Sequence, residues 1–252
     1  MSALLEVERL AKAYSGVPAV RSVSFTLARG ELLALIGPNG AGKSTCFNML
    51  NGQIRPDAGA VRLEGHDVTG LKPSQMFRRG IGRTFQITAT FGSMSVRENV
   101  AVAMLSRQRR LGQFWGGARV DADALLSLVG MSSQAERPAA ELAYGDLKRL
   151  ELAIALAGEP CLLLMDEPTA GMAPKERAEM MALTARLARE RNLGVLFTEH
   201  DMDVVFNHAD RIMVLSRGEL IAQGSPAEVR RNAEVRAVYL GEGRTYAAQV
   251  AS

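Results

Sequence analysis

One stretch limits this chain more than any other: Gly37-Pro38-Asn39-Gly40-Ala41-Gly42-Lys43-Ser44-Thr45. An apolar run from Leu32 to Ile36 precedes it, and a helical pattern begins at Lys43. Strand, glycine turn and helix, with the spacing G-x-x-x-x-G-K-[ST], form a loop that wraps phosphate. Glycines at these positions let backbone N–H groups face phosphate oxygens with no Cβ in the way. The helix start adds the positive end of its dipole. The turn Pro38, Asn39, Gly40, Ala41, Gly42 and Thr45 would surround a nucleoside triphosphate. Lys43 would reach its β- and γ-phosphates, and the Ser44 hydroxyl would hold Mg²⁺. A mere glycine-rich turn accounts for the glycines but not for the strand and helix on either side.

The 252 residues suffice for one large α/β domain or two smaller ones. With 47% hydrophobic and 23% charged residues the chain can build a core, which argues against disorder. The net charge is only +3 and the basic residues are dispersed, so no nucleic-acid footprint is expected. The two cysteines, Cys46 and Cys161, both sit in apolar segments and read as small buried hydrophobes, which fits a reducing compartment. The first residues carry charge from Glu6 onward, unlike a signal peptide. No apolar run approaches the roughly 18 residues that a membrane span requires.

Three zones follow one another. Residues 1–85 alternate short strand-like runs, such as 23–27 and 61–63, with glycine turns. Residues 86–157 are mainly helical in pattern. Ser95 and Glu98 have capping-box spacing for a helix over 96–105, and Leu147, Leu150, Ile154 and Ala157 mark one face of another. From Pro160 strands return at 161–165, 195–198 and 212–215, with a proline-led helix over 174–191 between the first two. Alternation of this kind implies a parallel sheet covered on both faces, with the helical zone as a separate lobe. The basic, glycine-rich piece 107–119 holds Trp115, the sole tryptophan. It reads either as a solvated loop or as a contact to a membrane-embedded partner or lipid headgroups.

Leu162-Leu163-Leu164-Met165 runs into two adjacent acids, Asp166 and Glu167. Neighbouring side chains on a strand face opposite ways, so two acids at its carboxyl end can do two jobs. Asp166 would hold the Mg²⁺ shell through water and Glu167 would polarise an attacking water. The strand over 195–198 leads into Glu199-His200-Asp201, placing His200 where it would bond the γ-phosphate. Ligands of parallel sheets bind outside the carboxyl ends of the strands, which is where all these groups fall. His66 and His208 lack such a setting and read as surface residues.

Taken together these pieces resemble the ATP-binding cassette ATPases, the nucleotide-binding subunits of ABC transporters, over residues 4 to 241. The resemblance implies a P-loop NTPase fold: a RecA-like α/β core, an antiparallel β subdomain and an inserted α-helical subdomain over about 87–158, with 242–252 as a tail. It implies that Tyr14 stacks on adenine and that Gln86 joins the lobes and senses Mg²⁺ and the transmembrane subunit. The catalytic set would be Lys43, Glu167 and His200, with Ser44, Gln86 and Asp166 around the metal. Pro168-Thr169-Ala170-Gly171-Met172 occupies the loop that crosses to a partner subunit, without that loop's usual aspartate. The family's LSGGQ hallmark matches Leu142-Ala143-Tyr144-Gly145-Asp146; Ala143 has no hydroxyl to offer, though backbone N–H groups there still can donate. This LAYGD form, the Glu-His-Asp-Met near His200 and the stretch 237–242 resemble the LivG-like branch, which serves branched-chain amino acid uptake.

The implied mechanism needs two cassettes. ATP on the loop of one chain would meet Ala143, Tyr144, Gly145 and Asp146 of another, identical or related, head to tail. Two permease subunits would receive the motion through Gln86 and residues 87–94, and a periplasmic or extracellular solute-binding protein would act indirectly. The chain would then work from the cytoplasmic face of the membrane, peripherally. A soluble ABC protein acting on nucleic acid or ribosomes is the alternative, but such proteins carry tandem cassettes or long coiled-coil insertions. A small-molecule kinase or GTPase fits less well, since there is no N/T-K-x-D motif.

Overall fold

Successive residues of the central strands face two different cores. Leu32, Ala34 and Ile36 join one, with Leu163, Met165, Val195 and Phe197; Leu33 and Leu35 join the other, with Leu162, Leu164 and Leu196. A strand buried on both faces belongs inside a three-layer α/β architecture. The computed structural model describes residues 3–84, 90–110 and 121–240.

The chain runs β1 (Leu5–Tyr14), β2 (Val17–Leu27), β3 (Leu32–Ile36), α1 (Lys43–Leu50), β4 (Ala58–Leu63), β5 (His66–Asp67), α2 (Pro73–Arg78) and β6 (Ile81–Arg83). It continues with α3 (Val96–Arg110), α4 (Ala122–Leu128), α5 (Tyr144–Leu156), β7 (Leu162–Asp166), α6 (Pro174–Glu190), β8 (Gly194–Thr198) and α7 (Met202–His208). It ends with β9 (Arg211–Ser216), β10 (Glu219–Gly224), α8 (Pro226–Arg231) and α9 (Ala233–Leu240). Six strands form a sheet in the order β10-β9-β3-β8-β7-β6. All its pairings are parallel except β9 with β10. A second sheet, β2-β1-β4-β5, is antiparallel. The two sheets and α1 enclose one core; α3 to α7 cover the opposite face of the six-stranded sheet.

The order β3-β8-β7 has a functional consequence. The loop after β3, the acids at the end of β7 and the segment after β8 leave three adjacent parallel strands at one edge. Local signals set the helix starts. Ser95 and Glu98 form the expected capping box: the Glu98 carboxylate accepts from the Ser95 N–H at 2.7 Å, and the Ser95 hydroxyl accepts from the Glu98 N–H at 3.2 Å. The helix they open runs on to Arg110, past the expected end at 105. Residues 106–110, Ser-Arg-Gln-Arg-Arg, hold no glycine or proline, and arginine and glutamine favour helix. The basic piece 107–119 therefore begins as helix; Trp115 and residues 111–120 lie outside the described residues.

Burial corrects three side-chain expectations. Cys161 is only half-buried, next to the Gly80 carbonyl, whereas Cys46 is fully enclosed and its thiol is pushed up to about 12 by desolvation. His208 is half-buried at the end of α7, and burial lowers its pKa. On α5 Leu147 and Ile154 are only partly covered, while Lys148 and Glu151 are buried and ion-paired at 3.0 Å. A buried charged pair breaks the apolar periodicity, so the helix face could not be read from hydrophobic residues alone.

Candidate functional site

The loop from Gly37 to Gly42 owes its path to backbone that only glycine tolerates well. Gly42 has φ +102°, and a Cβ there would lie 2.3 Å from the Ala19 carbonyl oxygen of β2. Gly40 has φ +77°, and nothing lies within 4 Å of where its Cβ would be. One glycine is required by close packing to the protein, the other by conformation beside open space. In α1 the first intrahelical bond runs from the Cys46 N–H to the Gly42 carbonyl at 2.9 Å, and no side chain caps the helix. The N–H groups of Lys43, Ser44 and Thr45 precede that bond and lie at the positive end of the helix. Lys43 is only 8% exposed; its ammonium donates to the carbonyls of Gly37 at 2.5 Å and Pro38 at 3.0 Å, so its charge is held within the loop. Pro38, Asn39 and Ala41 complete the turn, closed by the Ala41 N–H to the Pro38 carbonyl at 3.1 Å.

Asp166 is the last residue of β7, but Glu167 is no longer in the strand: it has φ +50°. Glu167 thus leaves the strand through a left-handed residue, so the alternation of a pleat does not relate the two acids as expected. Thr198, at the end of β8, holds both. Its hydroxyl donates to Asp166 Oδ1 at 2.7 Å and accepts from the Glu167 N–H at 3.1 Å. The other Asp166 oxygen lies 3.6 Å from the Arg83 guanidinium. His200 Nε2 stands 2.8 Å from Glu167 Oε1, and a carboxylate can only accept, so the ring N–H donates. Glu199 is 4% exposed; its Oε1 accepts from the Thr169 hydroxyl at 2.6 Å and the Thr169 N–H at 2.8 Å. Burial raises the Glu199 pKa, and the bonds from Thr169 oppose that rise.

Tyr14 is at the tip of the β1–β2 hairpin, 46% exposed, with the Lys12 ammonium 5.9 Å from its ring centre. Because Ala19 of β2 abuts Gly42, this tip is carried beside the glycine loop. Ala143 precedes α5 in extended conformation, and no side chain caps that helix either. Tyr144 is 45% exposed and Gly145 is buried, with Asp146 between exposed and buried. A Cβ on Gly171 would come within 3.2 Å of the Tyr144 ring, and one on Gly145 within 3.0 Å of the Glu176 carboxylate. The start of α5 thus packs against the loop after the acids and against the start of α6. Gln86 lies outside the described residues.

The donor set suits a hydrated magnesium ion. Ser44 offers an exposed hydroxyl at the start of α1, and Asp166 a carboxylate two strands away in the sheet. That separation is about 10 Å between strand axes. Hard oxygen donors at such a span suit an ion that keeps several waters.

Sequence reasoning singled out Asp166, Glu167 and His200 but not what orients them. Thr198, Thr169 and Glu199 are ordinary residues in isolation, and Lys148 sits on a helix face that looks apolar. One signal was available: Glu199 is a charge directly after a fully buried strand, as Asp166 is at the end of another.

A family model described as "ABC transporter" matches residues 20–170, and one described as "Branched-chain amino acid ATP-binding cassette transporter" matches 219–245. The high-affinity branched-chain amino acid transport ATP-binding protein LivG of Salmonella typhimurium is 41% identical over 251 residues, covering 95% of this chain and 98% of that protein. BraF of Pseudomonas aeruginosa, of the same description, is 38% identical over 250 residues, covering 95% and 98%. A crystal structure of an ATP-binding cassette of an ABC transporter, in its ADP conformation, superposes with a TM-score of 0.86 at 30% identity, covering 96% of this chain and all of that one. Sequence, fold and the placement of the lysine loop agree: the chain belongs to the ATP-binding cassette family of ABC transporters.

Proposed function

We propose that the chain is the ATP-hydrolysing subunit of an importer for branched-chain amino acids or closely related solutes. The observation that carries the ATPase half is the convergence of the Lys43 loop, Asp166, Glu167 and His200 at one sheet edge. The solute class is supported by LivG and BraF, matched along nearly their whole length. In this reading the backbone N–H groups of Pro38 to Thr45 and the Lys43 ammonium bind the triphosphate, and Tyr14 stacks on the base. Ser44, Asp166 and Gln86 would hold Mg²⁺, which would supply charge neutralisation to the triphosphate. Glu167 accepts the proton of the attacking water, and His200 keeps that carboxylate aimed through the 2.8 Å hydrogen bond.

The start of α5 is solvent-facing at Tyr144, consistent with a role toward a second cassette rather than toward the loop of its own chain. Ala143, Tyr144, Gly145 and Asp146 would approach the nucleotide of that partner. Two permease subunits complete the transporter at the cytoplasmic face, and a solute-binding protein delivers cargo to them. Among the described residues no helix is long and apolar enough to cross a membrane, so contact with the bilayer would go through the permeases.

Transport assays test this reading. Loss of the chain from the organism that encodes it should abolish high-affinity uptake of radiolabelled leucine, isoleucine and valine, and the intact gene should restore it. Unchanged uptake of all three would overturn the solute assignment. Purified chain that neither binds nor hydrolyses MgATP would overturn the ATPase assignment.

A further inference from the structure

Four consecutive residues, from the last of β8 onward, each grip the stretch that begins with the acids. Thr198 bonds Asp166 and the Glu167 N–H. Glu199 bonds Thr169 through both its N–H and its hydroxyl. His200 bonds Glu167. Asp201 pairs with Arg177, whose Nε donates to the Met172 carbonyl at 2.8 Å. The loop also has turns of its own, Ala170 N–H to the Glu167 carbonyl at 3.2 Å and Met172 N–H to the Thr169 carbonyl at 3.1 Å. Beyond it the Tyr144 ring rests on Gly171, and the Lys148 ammonium lies 5.5 Å from that ring centre.

Within this zipper Glu199 stands apart. Thr198 and His200 touch the acids, and Asp201 acts through a half-exposed arginine. Glu199 is a buried carboxylate that bonds to no side chain of the proposed reacting groups and accepts from both the N–H and the hydroxyl of one residue, Thr169, itself 1% exposed. Its second oxygen accepts from the His200 N–H at 3.2 Å. A desolvated carboxylate is costly to maintain, and apolar residues would pack the same space more cheaply. Hydrogen bonds to a buried ionised group are strong and directional, which makes this a stiff joint between two loops.

We propose that Glu199 is a positioning residue that locks the 168–172 loop to the backbone of His200, so that any displacement of His200 is passed to Thr169, Gly171 and Tyr144. The proposal rests on the ATPase reading above. It gives the chain a route from the γ-phosphate end of its own site to the surface offered to a second cassette, and the route runs through side chains present in one subunit.

The test uses the purified full-length chain. Thr169→Val keeps shape and the N–H bond but deletes the hydroxyl donor; Thr169→Ser keeps that donor. Thr169→Val should lower kcat for MgATP about tenfold with KM within about twofold, the size expected when reacting groups are slightly misplaced. Thr169→Ser should restore kcat to within about twofold. Glu199→Gln should lower kcat similarly, and the double variant should be no worse than the poorer single, because both cut one joint. In hydrogen exchange, MgATP should alter protection of amides 169–172 in the parent and in Thr169→Ser but not in Thr169→Val. Full activity of Thr169→Val, failure of Thr169→Ser to rescue, additive losses in the double variant, or a response of amides 169–172 to MgATP in Thr169→Val equal to the parent's would each overturn the proposal. A parent chain that does not turn over MgATP would overturn both this and the ATPase reading; an active parent with an indifferent Thr169→Val sinks only the joint.

Discussion

The starts of α1 and α5 are both helix N-termini with no capping side chain, yet they are built in opposite ways. The first is made of backbone. Three glycines shape the turn, the lysine folds back onto two carbonyls of the same loop, and everything faces the carboxyl edge of the sheet. The second is made of side chains. Ala143 is extended, Tyr144 is a large half-exposed ring braced by Gly171 and Lys148, and Gly145 is pressed against Glu176. A backbone cradle offers donors to a ligand bound by its own chain. A braced, exposed helix start offers a rigid face to something arriving from outside. The contrast fits the proposed division of labour, in which the α1 start serves the chain's own nucleotide and the α5 start that of a second cassette.

The largest expected effect separates chemistry from binding. Glu167→Gln keeps the size and the kinked backbone but removes the proton acceptor, and kcat should fall about a thousandfold. Calorimetry should still detect nucleotide binding, and sizing with ATP should reveal a trapped dimer. Hydrolysis at the parent rate would refute the role given to Glu167. Next is Lys43→Ala at the α1 start. It deletes a charge-assisted contact to phosphate and should weaken ATP binding by roughly 10- to 100-fold. Unchanged affinity would move the phosphate site elsewhere.

Which parts of this were legible follows from the same contrast. The glycine loop is written in residues whose backbone demands are unusual, so the sequence alone placed it between β3 and α1, where the structure has it. The apolar runs behind β3, β7, β8 and β9 were legible because strands buried on both faces need unbroken hydrophobicity. The antiparallel sheet was less so: β1 mixes Glu6, Glu8, Arg9 and Lys12 with apolar residues and carries irregular register, since one face of it meets solvent. The orienting threonines were not legible at all. Thr198 and Thr169 matter through partners about thirty positions away, and nothing local marks a threonine that will face a carboxylate across two loops.

The α5 start should respond differently from the α1 loop. Tyr144→Ala removes the ring that rests on Gly171 without touching the Lys43 loop. ATP affinity of the isolated chain should stay within about twofold, while ATPase in the assembled transporter should drop several-fold, on the order of 1 kcal/mol for a lost aromatic contact. If affinity of the isolated chain fell as it does for Lys43→Ala, the two helix ends would be acting on one ligand and the contrast would be lost.

A last pair of substitutions asks why each helix start keeps a glycine. Gly40 has φ +77° and free space around its missing Cβ, so alanine there meets no atom but must hold a left-handed backbone. That costs about 1–2 kcal/mol. Gly145 has no such backbone demand; an added Cβ meets the Glu176 carboxylate at 3.0 Å, the far end of a flexible side chain that can swing aside at the expense of its bond to the Ala173 N–H. Alanine also gains on glycine in a helix by up to about 1 kcal/mol, which offsets the displaced cap. Urea unfolding should therefore find Gly40→Ala clearly destabilised and Gly145→Ala within about half a kcal/mol of the parent. The reverse order would mean that the α1 loop is held by space and the α5 start by conformation, and the distinction between a backbone cradle and a side-chain face would have to be drawn the other way round.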